Sequence, residues 1–147
     1  MDQNAMGATT HSRTPALFIA LGGLLLIVGP LMDFGRPEAP RAGAGVPVDD
    51  PIRGVDTADG KFFLVVGMAL LVAAVIHISN TSSMIETVGV MFSIFASLLV
   101  FYMSLADFFT LDDVQAGLFL VVVGATLGAI GGSMSLLTYR RRSRTAG

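Results

Sequence analysis

The chain has 147 residues, of which 53% are hydrophobic and 14% charged, well short of the roughly 25% charged residues of a soluble domain. It contains no cysteine, which excludes disulfides, thiolate metal sites, iron–sulfur clusters and cysteine nucleophiles. Its formal charge of −2 is too small to argue for nucleic acid as a partner.

Residues 1–13 are polar, with Gln3, Asn4, Thr9, Thr10 and Ser12, and are expected to form a disordered cytoplasmic tail. The first apolar run, residues 15–32, opens on Pro15, whose missing amide hydrogen suits the first turn of a helix. It passes through Gly22-Gly23 to Gly29-Pro30, where a helix is expected to break. Arg13 ahead of Ala16–Val28 has the look of a secretory leader. Leu31, Met32, Asp33 and Phe34 supply no small-x-small cleavage site, and Ala42-Gly43-Ala44 lies too far downstream, so this run is expected to stay as a span.

Residues 33–61 form the longest polar stretch, with Pro37, Pro40, Pro47 and Pro51, several glycines, six acids and four bases. The prolines oppose a helix and the mixed charges oppose burial, which predicts an irregular outer loop, either a flexible, lightly structured cap or a binding surface for a partner. Asp59-Gly60 reads as a turn before the second run. Asp56, Asp59 and Gly60 bring a calcium loop to mind, but the alternating acids and closing glutamate of an EF-hand are missing.

The second and third runs, residues 62–79 and 87–106, are joined by the polar hairpin Asn80-Thr81-Ser82-Ser83. Ser83 and Glu86 have capping-box spacing, in which each side chain satisfies an unpaired amide of the new helix. Asn80-Thr81-Ser82 matches a glycosylation sequon but is expected on the cytoplasmic side, close to the membrane. The fourth run, residues 115–139, follows Asp112 and Asp113, acids that favour the positive end of a helix dipole. After it comes a basic tail, residues 140–147, whose Arg140, Arg141, Arg142 and Arg144 face anionic headgroups.

A bilayer is crossed by about 17–25 helical residues, so each run is long enough to span. Their middles carry no acid or base, and no internal repeat is evident. The expected fold is therefore all-α: an integral membrane, antiparallel four-helix bundle over residues 14–139. Five arginines on the tail side (Arg13, Arg140, Arg141, Arg142, Arg144) against four bases on the other place both termini in the cytoplasm. Tyr139 anchors that side, and Phe34, Phe62, Phe63, Phe108 and Phe109 read as an aromatic rim at the opposite interface.

Candidate functional residues are few. Gly124, Gly128 and Gly132 lie four apart, with Gly117 on nearly the same face, and Gly89, Ser93 and Ser97 repeat that spacing in the third run. In lipid, small residues let helix backbones approach closely, so these stripes are helix-packing sites, within the chain or against another chain. His77 is the residue near the hydrocarbon that can change charge near neutral pH, with Glu86 across the hairpin as its natural partner. Asp107 can cap the third helix, pair with Lys61 or face water. No serine–histidine–acid set with plausible membrane geometry, HExxH or phosphate loop is recognisable, and no metal or cofactor is expected.

The first span contains Gly22-Gly23-Leu24-Leu25-Leu26 closed by Gly29, and a glycine-rich loop ends at Asp59-Gly60. The last span opens Ala116-Gly117-Leu118 and runs through Gly124 and Gly131-Gly132 into arginines. In these features the chain resembles a loose group of small bacterial four-span (tetraspan) membrane proteins, over most of its length. The resemblance implies a helical membrane fold and no particular activity. The topology is also similar to that of claudin-like proteins, without their first-loop tryptophan and cysteine pair. Small multidrug transporters share the size, but Ala16–Met32 holds nothing matching their first-span glutamate.

These features lead to an expected role as a non-enzymatic accessory or structural subunit of the cell membrane. It would pack in the lipid bilayer against a larger membrane protein complex or against itself as a homo-oligomer. The alternatives are a small transporter or channel, with Ser93, Ser97, Ser104, Thr126, Ser133, Ser135 and His77 as its polar lining, or a lipid- or cofactor-binding accessory protein.

Overall fold

The computed structural model describes residues 13–36, 51–79, 83–111 and 113–145; for Ser83 and residues 139–145 only the backbone is described. The elements are α1 (Thr14–Leu31), β1 (Asp33–Gly35), β2 (Ile52–Arg53), a 3-10 turn (Gly54–Asp56), α2 (Ala58–Ile78), α3 (Ser83–Thr110) and α4 (Ala116–Thr145). All four α-helices are long and apolar enough to cross a membrane. Their outward side chains, such as Leu17, Leu24, Val65, Val72, Phe95 and Leu137, are apolar. A bundle whose exterior is as apolar as its core belongs in lipid.

The helices extend past the apolar runs that predict them. Helix α2 begins at Ala58, so Asp59-Gly60 is its first turn and not a separate turn before it. Thr57 is the cap: its Oγ1 accepts from the Gly60 amide at 3.0 Å and donates to the Gly54 carbonyl at 2.7 Å. Helix α3 gains a turn at each end, and α4 continues through the arginines expected to form a tail. In α1 the helix ends at Leu31, one residue after Pro30, whose substituted amide leaves a carbonyl in the preceding turn without its usual partner.

Helix α1 is central, packing against α2 and α4; α3 leans on α4, and the α2–α3 contact is the slightest between neighbours. Adjacent glycines explain how α1 serves two partners. A Cβ on Gly22 would meet the Gly124 carbonyl oxygen at 2.6 Å and the Gly128 amide at 2.7 Å, whereas one on Gly23 would meet the Gly67 carbonyl oxygen at 2.8 Å. Consecutive residues of a helix point about 100° apart, so the doublet opens one face to α4 and another to α2.

The α1–α4 seam runs in opposite order along the two helices. Pro15 and Ile19 lie against Gly131, Gly22 against Gly124, and Gly29 against Gly117. Gly117, Gly124 and Gly131 are seven apart, the spacing that keeps residues on one face over two turns. A second α4 face turns Gly128 to Ser97 and Gly132 to Ile94 and Ser93 of α3. The four-residue stripe expected on α4 is thus divided between two neighbours.

The predicted irregular loop is ordered at both ends. Strand β1 pairs antiparallel with β2, the Gln115 amide donates to the Phe34 carbonyl at 2.8 Å, and the Gly54 amide donates to the Met32 carbonyl at 3.2 Å. Gly35 has φ 155°, a backbone shape that favours glycine, and a Cβ there would lie 2.5 Å from the Asp113 carbonyl oxygen. Pro37, Pro40 and Pro47 lie outside the described residues, as do the hairpin Asn80-Thr81-Ser82 and Asp112. Phe34 and Phe63 belong to no interfacial rim. Both are buried, with ring centroids 6.3 Å apart, because the strand folds Phe34 back over the end of the bundle. Phe108 and Phe109 are exposed, as a rim requires.

Candidate functional site

At the end of the bundle where α1 begins and α4 ends, three helices bring polar side chains together. His77 lies in the last turn of α2 and Glu86 in the first turn of α3, positions where the helix dipole favours a base and an acid respectively. His77 Nδ1 lies 3.2 Å from Glu86 Oε1. From α4, Ser135 Oγ lies 3.4 Å from His77 Nε2. The side chains of His77 and Glu86 are 13% and 23% exposed, and Ser135 is 4% exposed.

The Nδ1–Glu86 contact has ion-pair distance without hydrogen-bond alignment, so Nδ1 is a buried nitrogen with no aligned partner. The roles of the two ring nitrogens depend on the tautomer. An ionised carboxylate only accepts, so the tautomer that suits Glu86 is the one with hydrogen on Nδ1, in which Nε2 is free to accept from the Ser135 hydroxyl. Five other hydroxyls bond locally: Ser93, Thr126 and Thr138 donate to the carbonyl four residues back, and Ser104 and Thr110 to the one three back. Ser135 reaches across to another helix. A small cleft beside it is lined by Glu86, Thr87, Val90, Ser135 and Leu136.

Sequence reasoning paired His77 with Glu86 and named Ser135 only among the hydroxyls of a possible lumen, not as a partner of His77. It also found no serine–histidine–acid set with plausible membrane geometry, whereas the structure places these three in that order of contact. Ser135 sits one turn before the arginines, but only the α3–α4 register shows that it reaches the level of Val90. Glu86, assigned to a capping box with Ser83, lies against His77. The Ser83 side chain lies outside the described residues, as do those of Arg140, Arg141, Arg142 and Arg144.

Of the packing residues, Gly117, Gly124, Gly128, Gly132, Ser93 and Ser97 are buried between helices of this chain. Gly89 differs: a Cβ there would meet nothing within 4 Å. Gly22, Gly23, Gly29, Gly67 and Gly131, outside the stripes singled out by spacing, are equally buried at contacts. Asp107 is partly buried near the far end of α3 and makes no ion pair with Lys61. The hydroxyls of a possible lumen are scattered, since Thr126 and Ser133 are exposed on the outside while Ser93, Ser97 and Ser104 face inward. Among the described residues, no group of three His, Asp or Glu could hold a metal ion.

Ser97 Oγ is buried without a hydrogen-bond partner, a burden of about 1–3 kcal/mol on a folded protein. Ser97→Ala is therefore expected to stabilise the bundle by about 1 kcal/mol. A Cβ on Gly128 would strike Ser97 Oγ, while Leu70 Cδ1 and Ser97 Cβ stand at 3.2 and 3.4 Å. The cost of Gly128→Ala should fall by about 1 kcal/mol or more in a Ser97→Ala background. A double-mutant cycle in detergent unfolding checks this, and strict additivity would refute the clash.

Compared with known proteins, this chain matches no family model, no curated protein and no solved structure.

Proposed function

We propose that this chain is a non-enzymatic accessory subunit of a larger assembly in the plasma membrane, an antiparallel bundle with both termini in the cytoplasm and α3 as its docking helix. The observation that supports this is the unequal use of small residues. Glycines at the α1–α2, α1–α4 and α3–α4 seams are all occupied by this chain's own helices, whereas Gly89 on α3 faces nothing. Around Gly89, α3 turns Met84, Val88, Phe92 and Phe95 outward. Helices in lipid associate through close-fitting surfaces, and a glycine notch flanked by large side chains is such a surface.

The test is extraction in a mild detergent followed by mass spectrometry of what travels with the protein. A membrane protein should co-purify in fixed proportion with the wild type and be lost from Gly89→Leu. The variant itself should stay as stable as the wild type, because its side chain enters open space. A lone monomer in both preparations would overturn the reading. Substrate flux in liposomes that depends on His77 would replace it with the small transporter.

A further inference from the structure

Within this bundle the α2–α3 seam is built differently from the others. Gly23 and Gly67 join α1 to α2, Gly22, Gly29, Gly117, Gly124 and Gly131 join α1 to α4, and Gly128 and Gly132 face α3 from α4. The described glycines of α2 and α3 do not meet across the remaining seam: Gly60 faces Gly54, Gly67 faces α1, and Gly89 faces nothing. At the tail end, the contact of His77 with Glu86 crosses it. Polar contacts are the other means by which helices hold together in lipid, and an ionisable group in a span is a functional site by default.

We infer that His77, Glu86 and Ser135 form a proton-binding site that closes the α2–α3 seam when occupied. In the empty state the ring is neutral: Nδ1–H faces Glu86, Ser135 donates to Nε2, and the site carries the single negative charge of Glu86. One proton from water adds to Nε2. The ring then carries a hydrogen on each nitrogen, donates to Glu86 and to Ser135 Oγ, and balances the carboxylate, so the site is neutral overall. The Ser135 hydrogen is released from Nε2 and turns to a carbonyl of its own helix, as those of Ser93, Thr126 and Thr138 already do.

The two states differ in how well they tolerate lipid. An unbalanced carboxylate at a helix end draws water, and Glu86 and Ser135 both line a small cleft with Thr87, Val90 and Leu136. A balanced, hydrogen-bonded pair excludes water and draws α2 and α3 together. The groups facing His77 are Glu86 from α3 and Ser135 from α4. Arg13, next to the start of α1, is exposed and forms no ion pair among the described residues. Beyond Ser135, α4 continues into Arg140, Arg141, Arg142 and Arg144, whose side chains lie outside those residues. The inference is independent of the docking role of α3, since it concerns a seam inside the chain.

The sequence makes the test clean, because it has two histidines and no cysteine. Nitrogen NMR of histidine-labelled His11→Gln protein in bilayers reports His77 alone. At high pH it should show hydrogen on Nδ1 and none on Nε2, the reverse of the tautomer favoured in water. Spin labels on Val75→Cys and Val88→Cys, both outward-facing, should approach by about 1–2 Å as the second hydrogen appears. In Glu86→Gln the ring should revert to hydrogen on Nε2, and the pH dependence of the distance should vanish. Two results would overturn the inference: an Nε2–H tautomer in the unmodified site, or a label distance that ignores the protonation of His77. Both are read on protein with the three residues intact, so misfolding of Glu86→Gln cannot mask them.

Discussion

Gly22→Ala is expected to destabilise the bundle by about 3 kcal/mol, at the upper end of typical overpacking costs, although alanine is ordinarily the better helix former. The added methyl group would lie 2.6 Å from the Gly124 carbonyl oxygen, 2.7 Å from the Gly128 amide nitrogen and 3.1 Å from the Gly128 Cα. All three are backbone atoms, so no change of rotamer makes room and the helices must separate. Separation at Gly22 also loosens its neighbours on the seam, because Gly29 and Gly131 are as tightly met by Gly117 and Pro15. Denaturant-induced unfolding in mixed micelles measures the loss. Gly89→Ala supplies the contrast: with nothing within 4 Å of the new methyl, only helix propensity acts and stability should hold or rise by up to about 1 kcal/mol. Equal behaviour of the two variants would show that the α1–α4 approach is looser than described.

The membrane helices were legible because length and apolar composition suffice to identify a span. Their ends were not. Asp59, Lys61, Glu86 and Asp107 look like loop residues by charge, yet each sits in a helix. Asp59 and Glu86 occupy first turns, where an acid complements the exposed amides. Thr57, three residues before Gly60, was the better marker of where α2 begins. Glycine spacing announced close packing but not its partners. Residues four apart drift around a helix and residues seven apart drift less, so Gly124 and Gly131 share the face to α1 while Gly128 and Gly132 meet α3. Phe34 failed as an interface anchor for a different reason. Its place in the core depends on strand β1 turning back, which is held by bonds from Gln115 and Gly54, both remote in sequence. The contact of Ser135 with His77 escaped for the same cause, as it is a product of three helices.

Gly60→Ala is the second large effect, and it acts at the opposite end of the bundle. Gly60 occupies the first turn of α2, and a Cβ there would fall on the carbonyl group of Gly54, with the Gly54 Cα at 2.9 Å. That carbonyl already accepts from the Thr57 amide at 2.9 Å and from Thr57 Oγ1 at 2.7 Å. It cannot yield without breaking the cap. Nor can Gly54 move as a unit, because Phe34 and Pro30 close it in on the other side and its amide is bound to Met32. Displacing the turn therefore strips the cap, worth about 1 kcal/mol, and begins to withdraw Phe34, whose burial is worth about 1.5–3 kcal/mol. A loss of about 3 kcal/mol is expected, with faster proteolytic cleavage between Asp33 and Thr57 while helix content stays near that of the wild type. Thr57→Ala removes the side-chain cap alone and should cost about 1 kcal/mol. If Gly60→Ala proves no worse than Thr57→Ala, Phe34 is not coupled to the start of α2, and the plug at this end of the bundle is held by its strand alone.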